Sequence, residues 1–266
     1  MFFKQNQTTE IKKFYSQNGF AVIRDVFKKK DIVEIKKSVF FKLDKNNNDY
    51  YFEKSGKKNL IRRIERITDY FSKIKNLAYS QKIFKILKIS YINNVLFKDK
   101  LNFKFSNGAG FLPHLDGHFF WKKKNEQKMQ KGWKVYSNKF TNIAIHLDKS
   151  TKKNGCLFIA NKNDTKKLGQ NWEQITKKLA YNTPNISRKD FKKFKFYPIE
   201  VNTGDIVIFD WKCAHYSTKN MSKSSRMILY LTYCQSRSKN IRKRYYSEKM
   251  NSQTNENFKG CIYTKN

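Results

Sequence analysis

Thr203-Gly204-Asp205-Ile206-Val207-Ile208-Phe209, followed by His215 and then by Arg226-Met227-Ile228-Leu229-Tyr230-Leu231-Thr232-Tyr233, decides how this chain folds. A Gly-Asp turn feeds a short apolar run, and a second run returns after the histidine. Runs this short, bounded by turn residues, read as buried strands rather than helices. Working outward, the same texture begins near Asn93 and recurs at 95–97, 101–105, 140–147, 157–160 and 196–201. Such spacing, with one helical segment near 172–179, predicts a β-sandwich or jelly roll. The polar segments 122–136 and 169–188 are too long for hairpin turns and are expected to run over one mouth of the barrel.

The N-terminal third reads mainly as helix. One helix starts where Thr8 and Thr9 precede Glu10 and the stripe Ile11, Phe14, Tyr15, and it stops at Asn18-Gly19; a strand at 20–23 follows. Asp31 is expected to cap a second helix carrying Ile32, Ile35, Val39 and Leu43, with a loop at 44–49 and a helical pair between Thr68 and Ser90. With neither a repeat nor a linker, the simplest organisation is a single domain over 1–266. It is mainly β with N-terminal helices: a helical layer over about 1–92, a jelly-roll core over about 93–235 and a tail over 236–266.

The chain has 57 Lys+Arg against 21 Asp+Glu, a formal charge of +36. Nucleic-acid readers concentrate such charge in a stripe and favour arginine for bidentate contacts. Here lysine dominates and its runs (Lys28 to Lys30, Lys122 to Lys124, Lys192 to Lys193) are scattered, alongside abundant Asn, Ile, Phe and Tyr. That pattern fits a compositional background, so nucleic acid is not the expected partner, and a basic binding module with a non-catalytic metal site is kept as the alternative. No run reaches the about 18 apolar residues of a membrane helix, the first residues turn polar too early for a signal peptide, and the four cysteines form no C-x-x-C pair. These features predict reduced thiols, no membrane insertion and a cytoplasmic location. Oligomeric state is not legible.

All four histidines lie between positions 114 and 215. His114 and Asp116 are one residue apart, and on an extended strand positions i and i+2 project from the same face. His215 can complete a set of two imidazoles and one carboxylate, which leaves open coordination positions and suits non-haem Fe(II) oxygenases. Arg226 opens the returning strand; a guanidinium buried beside such a site needs a carboxylate, which it can hold in a bidentate fork. His118 would share the face of His114 and Asp116 if the strand continued, but Gly117 interrupts it, so a pocket-lining role is preferred over a fourth ligand. His146 alternates with Ile143, Ile145 and Leu147 and is either an inward pocket group or an exposed strand residue. Asp148 and Asp205 fall at turns and are read as structural.

Several blocks resemble the phytanoyl-CoA dioxygenase family of Fe(II)- and 2-oxoglutarate-dependent oxygenases. They are Asn18-Gly19-Phe20-Ala21-Val22-Ile23-Arg24-Asp25-Val26-Phe27, Pro113-His114-Leu115-Asp116-Gly117, Leu147-Asp148-Lys149-Ser150-Thr151 with Asn154-Gly155-Cys156-Leu157, and the closing run from Thr203 through His215 and Arg226 to Tyr233. Val95 to Lys104, Gly108-Ala109-Gly110-Phe111 and Arg244-Tyr245-Tyr246-Ser247-Glu248-Lys249 are similar to the branch containing 2-aminoethylphosphonate dioxygenases. Two stretches depart from that branch: Leu115 replaces its usual Gln, and Gly117-His118-Phe119-Phe120-Trp121 replaces a smaller Ala/Pro-rich segment.

The resemblance implies a double-stranded β-helix (jelly roll, cupin-like) core flanked by helices. It assigns Fe(II) to His114, Asp116 and His215, and the far carboxylate of 2-oxoglutarate to Arg226, with Ser217, Lys104 and Asn102 as further cosubstrate contacts. His118, His146 and Trp121 are left as substrate-pocket candidates, and no catalytic residue beyond the metal ligands is expected. Related halogenases lack the carboxylate ligand; this chain keeps Asp116, so hydroxylation is expected. The implied reaction consumes 2-oxoglutarate and O₂ and releases succinate and CO₂ while hydroxylating a C–H bond of a small, anionic or phosphonate-like molecule. A lipid, acyl-CoA or macromolecular substrate is the alternative for the same chemistry.

Overall fold

In the computed structural model, residues 1–40, 49–55, 58–90, 94–122, 126–168 and 186–251 are described. The apolar runs pair into two facing sheets. The larger orders β1 (Phe2–Phe3), β2 (Phe20–Ile23), β12 (Ile206–Asp210), β9 (Phe140–His146), β14 (Arg226–Gln235), β5 (Asn94–Lys104), β4 (Lys58–Glu65) and β3 (Tyr50–Ser55) side by side. The smaller orders β11 (Phe196–Ile199), β10 (Leu157–Ala160), β13 (His215–Ser217) and β6 (Phe111–His114). A separate ribbon pairs β7 (Phe120–Lys122) with β8 (Met129–Lys131). This is the jelly roll the apolar spacing predicted, with helices packed against it.

Alternation along each strand decides what lies inside. On β9, Ile143 and Ile145 face outward and pack with Leu101, Leu229 and Leu231. That outer core is covered by α1 (Thr8–Asn18), α2 (Lys29–Phe40), α3 (Ile67–Tyr70), α4 (Ser72–Ala78) and α5 (Gln81–Leu87), through Ile11, Ile32, Ile67, Ile74 and Ile83 among others. The intervening Ala144 faces the other way, into a second core between the sheets with Val22, Leu157, Ile159, Val207 and Ile228. The polar positions of the same strands, Asn142 and His146, therefore also face inward. The first helix ends as its sequence indicates: Gly19 adopts φ +82° and its N–H closes on Tyr15 O at 2.7 Å.

Several expectations need correction. The segment 1–92 is not only a helical layer, because it contributes β1 to β4 to the larger sheet. Charged side chains in β3 and β4 hide their strand character, yet these charges are matched inside. Arg62, fully buried, donates to Phe103 O (2.9 Å) and Ala109 O (2.6 Å) and pairs with Glu53 at 3.3 Å. The runs at 95–97 and 101–105 belong to one strand, β5, whose interrupting Asp99 is buried and accepts from Thr68 N and Arg242 Nε, each at 2.8 Å. Asp31 sits in the first turn of α2 rather than before it, where its charge still favours the helix N-terminus. Three short helices, not two, precede Ser90.

Within 122–136 lie β8 and a 3-10 turn over Gly132–Val135; of 169–188, residues 169–185 lie outside the described residues and α6 (Arg188–Phe191) follows them. The tail carries α7 (Ile241–Met250), docked through Tyr245 and Tyr246 against Phe97 and Trp133. Leu43, most of the loop at 44–49 and the helical segment near 172–179 lie outside the described residues. Asp205 is structural, accepting from Arg24 Nη1 (2.6 Å), Asp25 N (2.9 Å) and Asn202 N (2.8 Å). Asp148 does similar work with Lys36 and Met227 N. Cys156, Cys213 and Cys234 are buried free thiols, and Cys261 lies outside the described residues. No helix among the described residues is long and apolar enough to cross a membrane.

Candidate metal centre

His114 ends β6, and His215 begins β13 directly opposite it in the antiparallel register, so the two rings meet with centroids 4.3 Å apart. Asp116 is not on the strand. The chain leaves β6 after His114 and turns at Gly117, φ +69°, which brings the carboxylate back under both rings. Asp116 Oδ1 lies 4.0 Å from His114 Nε2, and Oδ2 lies 3.8 Å from His215 Nε2. The three donor atoms fall within 4.8 Å of one another, close enough to share one ion.

The surroundings fix these donors in a metal-ready state. His114 Nδ1 lies 2.7 Å from Leu112 O and His215 Nδ1 lies 3.0 Å from Cys213 O. A carbonyl can only accept, so each Nδ1 carries a hydrogen and each Nε2 is left facing inward as the ligand atom. Asn142 donates from Nδ2 to Asp116 Oδ2 at 3.0 Å and is itself oriented by Thr232, whose hydroxyl donates to Asn142 Oδ1 at 2.6 Å. Burial, with His215 adding to it, pushes the His114 imidazole down to about 3. Burial alone would raise Asp116, but His215, Lys100 and His114 outweigh it and hold the carboxyl at about 2. Two imidazoles and an ionised carboxylate, with open space on one side, fit a divalent ion such as Fe(II).

The His114 shift has a consequence for the metal-free protein. The unfolded histidine accepts a proton below about 6.5, whereas folded His114 refuses it until about pH 3. His146 is depressed in the same direction by burial and by the Arg226 and Arg24 charges. Between those limits the unfolded chain binds more protons, so stability is complete above about pH 6.5 and falls as pH drops toward 3. Thermal midpoints of the metal-free protein measured across that window are expected to decline steadily; a flat profile from pH 7 to 4 would contradict the neutral-histidine assignment.

A chamber opens from the donors across the inner face of the larger sheet, walled by Phe111, Trp133, Tyr230 and Tyr245. The sequence reading missed its charged lining. On β5, Lys98, Lys100 and Asn102 occupy alternate positions and enter the chamber together, joined by Arg63 from β4, which pairs with Asn102 in register. Buried Glu65 meets Arg63 (3.4 Å) and Lys98 (3.3 Å), and also Lys249 of α7. Lys100 makes no hydrogen bond or ion pair among the described residues. It lies over the Tyr230 ring at 5.2 Å, and burial and the nearby Arg63 charge bring its ammonium down to about 7.

The other candidates are distributed unevenly. Ser217 and Asn102 line the chamber. Lys104 is buried with its three protons spent on Ser217 Oγ (2.7 Å), Thr218 O (2.6 Å) and Gly155 O (3.3 Å), so it braces the wall. Arg226 is buried and donates to Gly155 O (2.6 Å) and Asn154 O (3.3 Å), with no carboxylate partner among the described residues. His118 points away from the three donors. Its ring lies against Trp211, its Nδ1 meets Asp116 O at 2.9 Å, and it faces a separate hollow with Lys134 and Lys212. Trp121 donates to Gly132 O and holds the ribbon together rather than lining the chamber. His146 is fully buried at the Arg226 end of the sheet.

Residues 15–228 match the phytanoyl-CoA dioxygenase family. A 2-aminoethylphosphonate dioxygenase of the uncultured bacterium HF130_AEPn_1 is 31% identical over 188 residues, 69% of this chain and 63% of that protein. A methylphosphonate hydroxylase of Gimesia maris is 28% identical over 160 residues, 59% of this chain and 52% of its own length. The chain thus spans less than two thirds of either relative. Among solved structures, the non-heme alpha ketoglutarate dependent carbocyclase SnoK from nogalamycin biosynthesis superposes with a TM-score of 0.65 at 14% identity, covering 87% of this chain and 85% of that one. EctD from S. alaskensis gives 0.65 at 15% identity over 85% and 76%. At these identities the structural likeness speaks for the fold.

Proposed function

Because the chain belongs to the phytanoyl-CoA dioxygenase family, whose members use Fe(II) and 2-oxoglutarate, we propose that it hydroxylates a C–H bond of a small phosphonate-like oxyanion. In this reading His114, Asp116 and His215 hold the iron, and Arg226 holds the far carboxylate of 2-oxoglutarate. The overall change converts substrate, 2-oxoglutarate and O₂ into hydroxylated product, succinate and CO₂. The bound iron supplies the oxygen-activating chemistry. The chain supplies two imidazoles and a carboxylate fixed by Asn142, and a buried guanidinium that orients the cosubstrate. It also supplies aromatic walls that exclude water.

The observation that carries the substrate class is Lys100, an ammonium that forms no ion pair and no hydrogen bond among the described residues, in the same chamber as the three metal donors. Asp116 and Glu65 attract it only from beyond contact, and a buried cation that no anion touches is costly unless a ligand brings one. Arg63 and Lys98 flank it, and Glu65 offsets part of their charge. The relatives named for 2-aminoethylphosphonate and methylphosphonate support the same class.

The test is a succinate assay with Fe(II), 2-oxoglutarate and a panel of small phosphonates, their neutral esters, acyl thioesters and lipids. Succinate formation coupled to product is expected with phosphonates and not with the neutral esters. Coupling only to an acyl thioester or lipid would move the substrate to the alternative class, and no succinate with any member would remove the oxygenase reading.

A further inference from the structure

His146 is fully buried, yet its Nε2 has no hydrogen-bond partner among the described residues. Its other nitrogen is committed, with Nδ1 lying 2.7 Å from Ser150 Oγ. An unpaired imidazole nitrogen in a sealed interior costs free energy unless something that is absent from the protein itself satisfies it. The register shows where that something would lie. His146 on β9 pairs with Ile228 on β14, and Arg226 is two residues before Ile228 on the same inward face. Such diagonal neighbours stand about 7–8 Å apart at the backbone, within reach of one small ligand group between long side chains. This end of the barrel gathers Arg226 and Lys104 and contains no carboxylate that contacts either among the described residues.

We infer that His146 is a second holder of the far carboxylate of 2-oxoglutarate, donating from Nε2 beside the Arg226 guanidinium. The inference rests on the reading of this chamber as a 2-oxoglutarate site and adds a residue to it. The Ser150 hydroxyl sets the tautomer: when Oγ–H donates to Nδ1, the ring hydrogen sits on Nε2, the atom left without a protein partner. Burial and the neighbouring guanidinium charges keep the ring neutral, so it contributes a directed donor where Arg226 contributes the charge. His146 is thereby a cosubstrate-positioning residue, not a wall of the substrate pocket.

The test uses the full chain loaded anaerobically with Mn(II), and calorimetric titration with two acids. 2-Oxoglutarate carries the far carboxylate, and 2-oxopentanoate has the same metal-chelating head without it. H146L is expected to weaken 2-oxoglutarate about 10- to 100-fold while leaving 2-oxopentanoate within about twofold. H146Q, which keeps an N–H donor, is expected to recover most of the loss, and S150A to show a smaller selective loss. Circular dichroism and thermal midpoints check that each variant is folded. Equal weakening of both acids, or of neither, overturns the assignment; in the second case a buried water serves Nε2. Should H146L fail to fold, S150A and H146Q carry the same selectivity comparison. If wild-type protein binds metal but neither acid, the 2-oxoglutarate reading itself fails, a result distinct from a wild type that binds both normally and a variant that shows no selectivity.

Discussion

Asp116→Ala is expected to give a folded protein that forms no succinate above background and retains little divalent metal after dialysis. Asp116 is the one anion among the three donors, held ionised at about 2, whereas His114 is neutral across the working range. Removing it leaves two imidazoles to hold a doubly charged ion. Residues that merely orient metal ligands typically cost 10- to 100-fold in affinity or activity when removed. Loss of the charged ligand is therefore expected to exceed about a thousandfold, while Asn142→Ala, which loses only the 3.0 Å bond to Oδ2, should fall within the smaller range. Folding should survive, because Asp116 sits in a turn beyond β6 and its side chain accepts one hydrogen bond among the described residues, from Asn142. Metal content by elemental analysis and succinate yield, read on the same samples, decide it; an Asp116→Ala protein with full metal and normal turnover would transfer the ligand role elsewhere.

Lys100→Met is expected to raise the KM for a phosphonate substrate by about 30- to 5,000-fold, the range for removing one partner of a desolvated charge pair. Methionine keeps most of the stem volume, so the chamber wall is preserved and the change is mainly the charge. Lys100 makes no hydrogen bond that its loss would strand, and relief from burial and from Arg63 and Lys98 outweighs the lost attraction of Asp116 and Glu65. Stability should therefore hold or rise slightly, separating a binding defect from a folding one. Lys98→Met is the contrast: it removes a partner of buried Glu65, so it should lower the thermal midpoint as well. Steady-state kinetics with one phosphonate and a thermal scan of both variants check the pair of expectations. An unchanged KM in Lys100→Met would leave the unpaired ammonium without a role in substrate binding.

The metal donors were legible because histidine is rare in this chain. Four residues confined to positions 114–215 stand out, and two of them sit at the ends of recognisable apolar runs. The jelly roll was legible for the same reason that its strands are buried, since runs such as 140–147 and 206–209 have no charged interruption. β3, β4 and the middle of β5 were hidden by residues whose partners come from far along the chain: Asp99 is met by Arg242, and Glu65 by Lys249. No local pattern announces such pairs. The chamber lysines were hidden by abundance. Among 57 basic residues, Lys98 and Lys100 look like background. Alternation with Asn102 along a strand would have singled them out had β5 been read as continuous. Lys104, two positions farther on, is expected from the sequence as a cosubstrate contact, but its protons go to Ser217 Oγ and to two carbonyls.

The two sheets divide labour in a way that bears on how such a protein can diversify. Two metal donors stand on β6 and β13 of the smaller sheet, and Arg226 stands at one end of β14. The cations that line the chamber come from alternate positions of β5 and from β4, at the opposite edge of the larger sheet from β12 and β2. Point changes at Lys98, Lys100 or Arg63 therefore alter what the chamber attracts while leaving the metal-bearing strands and their hydrogen bonds intact. Descent with changed diet, under an unchanged reaction, would be written in a few inward letters of two neighbouring strands.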